Sequence, residues 1–305
     1  MMKEIKNKQI KGIACTIMGG ICWGFSGTCG QYLFTYQKIE PGWLTMVRMI
    51  LAGIILISIS MIKKDHNLLE IWKYKRDIVR LFAFSLCGLL VSQYTYLTAI
   101  SYSNAGTATV LQNLNPVMIM LLVCIAKKKL PNKIEFLCII MALTGTFLIA
   151  THGNFGSLCI SPKGLFWGIM CAIGAVLYSL IPGKIISKWG SMVVTGYAML
   201  IGGIVFGFIS GYYRKQVFLD KFGLFAVLAI AVIGTAMAYS LYLKGISEIG
   251  PVKASMLASV EPVAATLFSF LWMGTHFEFI DVIGFILILA TVFLLSRKPK
   301  SDKYL

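Results

Sequence analysis

Long apolar runs recur along the chain, separated by short polar and basic intervals. A bilayer-spanning helix needs about 20 apolar residues. On that length the pattern predicts ten spans. The first two cover residues 12–36 and 43–62. Residues 81–126 then contain no Asp, Glu, Lys or Arg. That run is too long for one helix, and the polar stretch Ser101-Tyr102-Ser103-Asn104-Ala105-Gly106 divides it into the third and fourth. The fifth span covers 136–151, the sixth 164–183, the seventh 189–213 and the eighth 222–243. The ninth covers 254–275 and the tenth 279–296. The first run is too long for a signal-peptide core and reads as a retained helix.

Composition removes the other classes. Of 305 residues, 58% are hydrophobic and 13% charged, with a mean hydropathy of +0.80. A soluble domain is about half apolar and about a quarter charged. Disordered, collagen-like, coiled-coil and small disulfide-rich classes are excluded. Ten spans leave no room for a soluble catalytic domain.

The net charge of +16 would suggest nucleic acid in a soluble protein. Its placement is topological instead. With the N-terminus in the cytoplasm, 22 of the 28 basic residues fall in inner segments, five in outer loops, and Arg48 inside a helix. That is the positive-inside distribution of a multi-pass protein with both termini cytoplasmic. The partners it implies are the lipid bilayer and a small-molecule substrate, with no nucleic acid. Cys15, Cys22 and Cys29 recur every seven residues on one helix face and read as small packing groups.

The chain repeats internally. Residues 96–148 align without gaps on 242–294, with 14 identities in 53 positions. Pro116-Val117 meets Pro262-Val263, and Glu135 meets Asp281. The repeating unit is therefore a five-helix half. An odd number of spans puts the two halves in opposite orientations, as in secondary transporters whose substrate site lies near the midplane. The expected fold is an all-α polytopic membrane protein, with ten transmembrane helices in two inverted five-helix repeats. The expected division is a tail at 1–11, a first repeat at 12–151, an outer connection at 152–163, a second repeat at 164–296 and a tail at 297–305.

Polar residues inside the spans are the candidate site. Glu261 lies eight residues past Lys253, about 12 Å into the membrane, where an acid costs about 2.5–3.5 kcal/mol. It is expected to bind substrate or a coupling proton, or else to pair with Arg48 in the second helix. Pro262 follows it and frees the carbonyl of Ala258. Pro116 does the same for Gln112, with Asn115 in the place of Glu261. Asn113, Gln93, Tyr96, Tyr178, Tyr239 and Ser259 complete the candidate polar lining. Trp23 lies too deep for an interfacial anchor and joins the cavity candidates, whereas Trp43 and Trp189 fit the interface. Gly20 and Gly24 form a small-xxx-small face for close helix approach, or a hinge. There is no phosphate loop, HExxH or GxSxG motif, and the three histidines stand far apart. No catalytic residue, cofactor or metal site is expected.

Several of these residues together resemble the EamA-type carriers of the drug/metabolite transporter superfamily. The matching features are Trp23-Gly24, Arg48-Met49-Ile50-Leu51-Ala52, Asn115-Pro116-Val117 and Glu261-Pro262-Val263, in that order over residues 12–296. The resemblance implies two five-helix halves around a central cavity and movement of small organic metabolites, often export. Many members carry a glutamate just after the fourth and ninth helices. The stretches Ala126-Lys127-Lys128-Lys129-Leu130 and Met273-Gly274-Thr275-His276 lack it. The expected function is plasma-membrane transport of a small polar metabolite, an amino acid or related amine or amide, by alternating access. The rival is a membrane scaffold or sensor with a decayed carrier fold.

Overall fold

The structure, a computed structural model, describes residues 2–126, 128, 130–152, 160–249, 254 and 257–296. Among the described residues there is no strand. Among the described residues, eight helical segments are long and apolar enough to cross a membrane. They are Gln9–Thr35, Pro41–Ile62, Lys75–Tyr102, Ala105–Ala126, Lys133–Thr151, Pro162–Leu180, Ser191–Ser210 and Lys221–Ile246. Two shorter apolar helices follow, Val260–Met273 and Phe279–Leu294. The chain is an all-helical, multi-pass membrane protein.

In chain order, α1 is Met2–Thr35, α2 Pro41–Ile62 and α3 the short Asn67–Glu70. Helix α4 runs through Lys75–Ala83, a π-helical Phe84–Leu90 and Val91–Tyr102. Next come α5 (Ala105–Gln112), α6 (Asn115–Ala126) and α7 (Lys133–Thr151). Then follow α8 (Pro162–Leu180), the short α9 (Gly183–Trp189) and α10 (Ser191–Ser210). Helix α11 runs through Lys221–Ala231, a π-helical Val232–Met237 and Ala238–Ile249. The chain closes with α12 (Val260–Met273) and α13 (Phe279–Ser296).

Local chemistry sets the starts. Asn104 accepts a hydrogen bond from the Thr107 amide at 2.8 Å, capping α5 at the polar stretch that divides the charge-free run. Asn132 and Glu135 form a reciprocal capping box on α7, at 2.9 and 2.6 Å. Ser161 caps α8 at 3.0 Å, with Pro162 in the first turn, where a missing amide hydrogen loses nothing.

Several boundaries depart from expectation. Helix α1 begins ten residues earlier than residue 12 because Lys and Glu propagate a helix and no Gly or Pro precedes Gly12. The sixth span stops at Leu180, because Pro182 lacks an amide donor, and α9 fills the connection. The fourth and ninth spans are interrupted rather than merely kinked. Asn113 and Leu114 form a turn between α5 and α6, and Ser259 forms one before α12. Pro116 and Pro262 then sit in the first turn of the downstream helix. The connection at 152–163, expected on the outer side, is described only at its ends. Lys253, Ser255 and the tail at 297–305 lie outside the described residues.

Helix α1 occupies the centre, packed on the last part of α11 and on α12. Glycine makes that approach possible. A Cβ on Gly24 would stand 2.7 Å from the Ala265 amide nitrogen and 2.8 Å from the Glu261 carbonyl. One on Gly20 would stand 2.6 Å from Val260 Cγ1 and 3.1 Å from the Ala258 carbonyl. Elsewhere α2 packs on α10, α4 on α8, and α7 on α13.

Candidate functional site

The two helix interruptions face one polar space. A cavity of about 250 Å³ is lined by Trp23 from α1, Ser92 and Gln93 from α4, and Gln112, Asn113 and Asn115 around the first interruption. Ala175, Tyr178 and Ser179 of α8, Tyr239 and Tyr242 of α11, and Glu261 of α12 close it. A second cavity, of about 470 Å³, shares Asn113, Asn115, Ser179, Tyr242 and Glu261 with the first. It adds Pro116, Ile119, Ala258, Ser259 and Val292. Ala258, just before the second interruption, belongs to this wall; because Pro262 sits in the first turn of α12, its missing amide hydrogen breaks no helical bond to the Ala258 carbonyl.

Each side chain is placed by a local feature. The π-helical segments precede Ser92 and Gln93 in α4 and Tyr239 and Tyr242 in α11. One extra residue in a turn rotates every later side chain by about 100°. Thr235 marks the wider turn of α11 by donating to the Ile230 carbonyl, five residues back, at 3.0 Å. At the first interruption the Asn113 side-chain amide donates to the Thr109 carbonyl at 2.8 Å. Trp23 meets Tyr239 edge-on at 5.4 Å and Tyr242 at 5.2 Å between ring centres. The Tyr178 and Tyr239 hydroxyls lie 3.3 Å apart. The result is an aromatic wall beside a single carboxylate.

Nine of the ten residues expected to line the cavity are brought together: Glu261, Asn115, Gln112, Asn113, Gln93, Trp23, Tyr178, Tyr239 and Ser259. Tyr96 is not. It is 7% exposed, and its hydroxyl bonds with Thr109 Oγ1 at 3.0 Å, which packs α4 against α5. Its counterpart across the 146-residue offset, Tyr242, lines both cavities instead. Ser92 and Ala175 were not expected in the wall. Neither carries a charge or a break, and only the rotation of the helices places them there. Trp189 is a structural residue rather than an interfacial one. It is buried, and its indole donates to Asp77 Oδ2 at 3.0 Å.

Arg48 and Glu261 are electrostatic neighbours, yet no ion pair joins them among the described residues. Arg48 is 6% exposed, and its Nε has no hydrogen-bond partner among the described residues. Its other electrostatic neighbours are Tyr96 and Tyr239. Tyr239 and Glu261 stand in the cavity wall and Arg48 does not.

The two ends of the molecule differ. At the end where α1 finishes, Gln31 Oε1 accepts from the Ala105 amide and from Ser269 Oγ, both at 2.9 Å. Gln31 Nε2 donates to Thr275 Oγ1, also at 2.9 Å. One buried side chain thereby ties α1 to the start of α5 and the end of α12. On the same side Glu40 pairs with Lys215, and that hydrogen bond holds the Glu40 carboxyl below the usual carboxylate range. Toward the other end the second cavity extends to Ile119 and Val292. There Asp77 accepts from Lys188 at 2.7 Å and pairs with Arg80 at 3.3 Å.

Residues 10–151 and 162–297 each match the model of the EamA-like transporter family. The chain belongs to that family and is a membrane transporter. It is 38% identical over 288 residues to the uncharacterized inner membrane transporter YicL of Salmonella typhimurium, covering 94% of this chain and 95% of that one. The uncharacterized transporter YyaM of Bacillus subtilis is 25% identical, with 82% and 81% covered. A solved structure described as the crystal structure of a protein superposes with a TM-score of 0.58 at 15% identity, covering 96% of both chains. That likeness shows the fold alone.

Proposed function

We propose that the protein is a secondary transporter, not an enzyme, that exports a small polar metabolite across the plasma membrane. The substrate class is an amino acid or a related amine or amide. Two inverted five-helix halves, ten spans in all, alternate access to the shared cavity, and both termini face the cytoplasm. The observation that carries this reading is the cavity between the two interrupted helices, polar at Asn113, Asn115 and Glu261 and aromatic at Trp23, Tyr239 and Tyr242. An ammonium group suits a carboxylate beside aromatic faces. The amide side chains suit the remaining polar atoms of such a substrate.

The paired features support two halves of one design. Interruptions at Asn113 and Ser259, π-helical segments at Phe84–Leu90 and Val232–Met237, and prolines at 116 and 262 recur at nearly one offset. A closed end at Gln31 and a cavity reaching toward the opposite end fit one side of an alternating cycle. Among the described residues Glu261 has no ion-pair partner in contact, which suits it to take a substrate cation or a coupling proton.

The test is efflux from proteoliposomes loaded with labelled amino acids, amines and amides. Release of at least one of them, faster than from protein-free liposomes and lost in Glu261→Gln, is expected. No release across the whole set would contradict the substrate class.

A further inference from the structure

Away from the central cavity, a crevice of about 610 Å³ opens where α2 ends and α3 folds back. Its floor is apolar, formed by Ile57 and Met61 of α2, Leu68 and Leu69 of α3, and Tyr197 of α10. Its rim is charged. Lys64 and Lys73 line it, with Asp65, His66 and Glu70.

The crevice is preformed. Leu68 and Ile71 are buried, and the Tyr197 hydroxyl donates to the Leu68 carbonyl at 2.9 Å. Trp72 meets Tyr197 edge-on at 5.1 Å. Asp65 is engaged locally, accepting from the Asn67 amide at 3.0 Å. Glu70 pairs with Lys73 at 3.3 Å. Both carboxylates on the rim are thus engaged. Lys63, Lys64, Lys75 and Arg76 are exposed and enter no ion pair among the described residues. Residues 63–80 carry six Lys or Arg against three Asp or Glu.

Exposed apolar groups lie directly beside these cations. Met61 is 64% exposed and Leu69 78%. In water such an edge would be unfavourable. At the end of a membrane helix it lies at the lipid interface, with the lysines at head-group level.

We propose that this crevice is a binding site for one anionic phospholipid. Its phosphate would sit between Lys64 and Lys73, with Lys73 exchanging its exposed surface pair with Glu70 for the phosphate, and an acyl chain would lie over Leu69, Met61 and Ile57. A free phosphate would leave the apolar floor uncovered, and a zwitterionic lipid would leave unmatched the exposed Lys63, Lys75 and Arg76 that flank the crevice. Basic pockets between helices at the membrane surface hold anionic head groups by this combination. The position gives the lipid leverage, because α2 and α10 belong to different halves of the chain and meet here. The proposal stands apart from the reading of the central cavity.

The test is native mass spectrometry of the full chain released from detergent, with phosphatidylglycerol and phosphatidylcholine of equal chain length. The wild-type protein is expected to retain one phosphatidylglycerol in preference to phosphatidylcholine. Lys64→Gln with Lys73→Gln should reduce that preference roughly thirtyfold, and either change alone roughly fivefold. Lys133→Gln, a basic change at the start of α7, should leave it unaltered. If the double variant is not monodisperse, the two single variants decide. Equal retention of both lipids by the wild-type protein would overturn the site. So would an undiminished preference in the lysine variants, or an equal loss in Lys133→Gln.

Discussion

Asn113 and Ser259, 146 residues apart, each form a turn before an apolar helix, three residues before a proline, and both line the space that holds Glu261. An interruption in a spanning helix exposes backbone carbonyls and amides that lipid cannot satisfy. Such backbone is tolerated only where it faces protein or a polar cavity. Two interruptions meeting at one cavity therefore define where the membrane interior of this protein is polar.

Glu261→Gln is expected to abolish transport or uncouple it from protons while changing stability by less than about 1 kcal/mol. Glu261 is not in ion-pair contact with Arg48, so removing its charge breaks no bond. Had the two been a buried pair, the change would cost about 3–5 kcal/mol. Melting temperature and transport rate on the same preparation separate the cases.

Gly24→Val is expected to force α1 off α12, because its Cβ would stand 2.7 Å from a backbone nitrogen that cannot rotate away. Overpacking of this kind costs about 1–3 kcal/mol. Gly183→Ala, with nothing within 4 Å of the added carbon, should leave the melting temperature unchanged. Thermal unfolding in detergent compares the two. Equal shifts would deny Gly24 its packing role.

Gln31→Ala removes three hydrogen bonds at the tied end and leaves the Ala105 amide and Ser269 hydroxyl unsatisfied. Each unsatisfied group costs about 1–3 kcal/mol while that end stays closed. The population should therefore shift toward opening there. Cysteines placed near Thr275 should label faster with a membrane-impermeant maleimide in Gln31→Ala than in the parent. Unchanged labelling would mean the tie does not hold this end.

Much of this was legible from charge and period alone. Lipid forces polar backbone inside and leaves long apolar runs between basic loops, so the spans and the family motifs stand out. Glu261, Asn115 and Trp23 were legible because polarity at membrane depth is expensive. Tyr96 and Tyr242 were harder to tell apart, since both are tyrosines at equivalent positions. What separates them is tertiary packing: the Tyr96 hydroxyl is taken up by Thr109 of α5, whereas Tyr242 packs against Trp23 in the cavity wall, and hydropathy carries no mark of either contact. The short α9 and the bond between Asp77 and Trp189 depend on tertiary packing between helices far apart in sequence, and local pattern carries no trace of them.

The proposed membrane orientation, with both termini cytoplasmic, rests on the placement of the basic residues. Impermeant labelling of cysteines at positions 70, 130 and 300 should require broken cells, and at 157 and 218 should succeed on intact ones. Protection at 157 in intact cells would put an even number of spans in the first half and remove the inverted arrangement.

Transport through the Glu261 cavity is tested most directly in proteoliposomes loaded with a mixture of labelled amino acids, amines and amides. Wild-type protein and Glu261→Gln would be compared at equal incorporation. At least one compound should leave wild-type vesicles about tenfold or more faster than Glu261→Gln vesicles, the scale on which loss of a buried charged contact changes binding. Equal release from the two proteins, with both folded, would contradict the central role of this cavity.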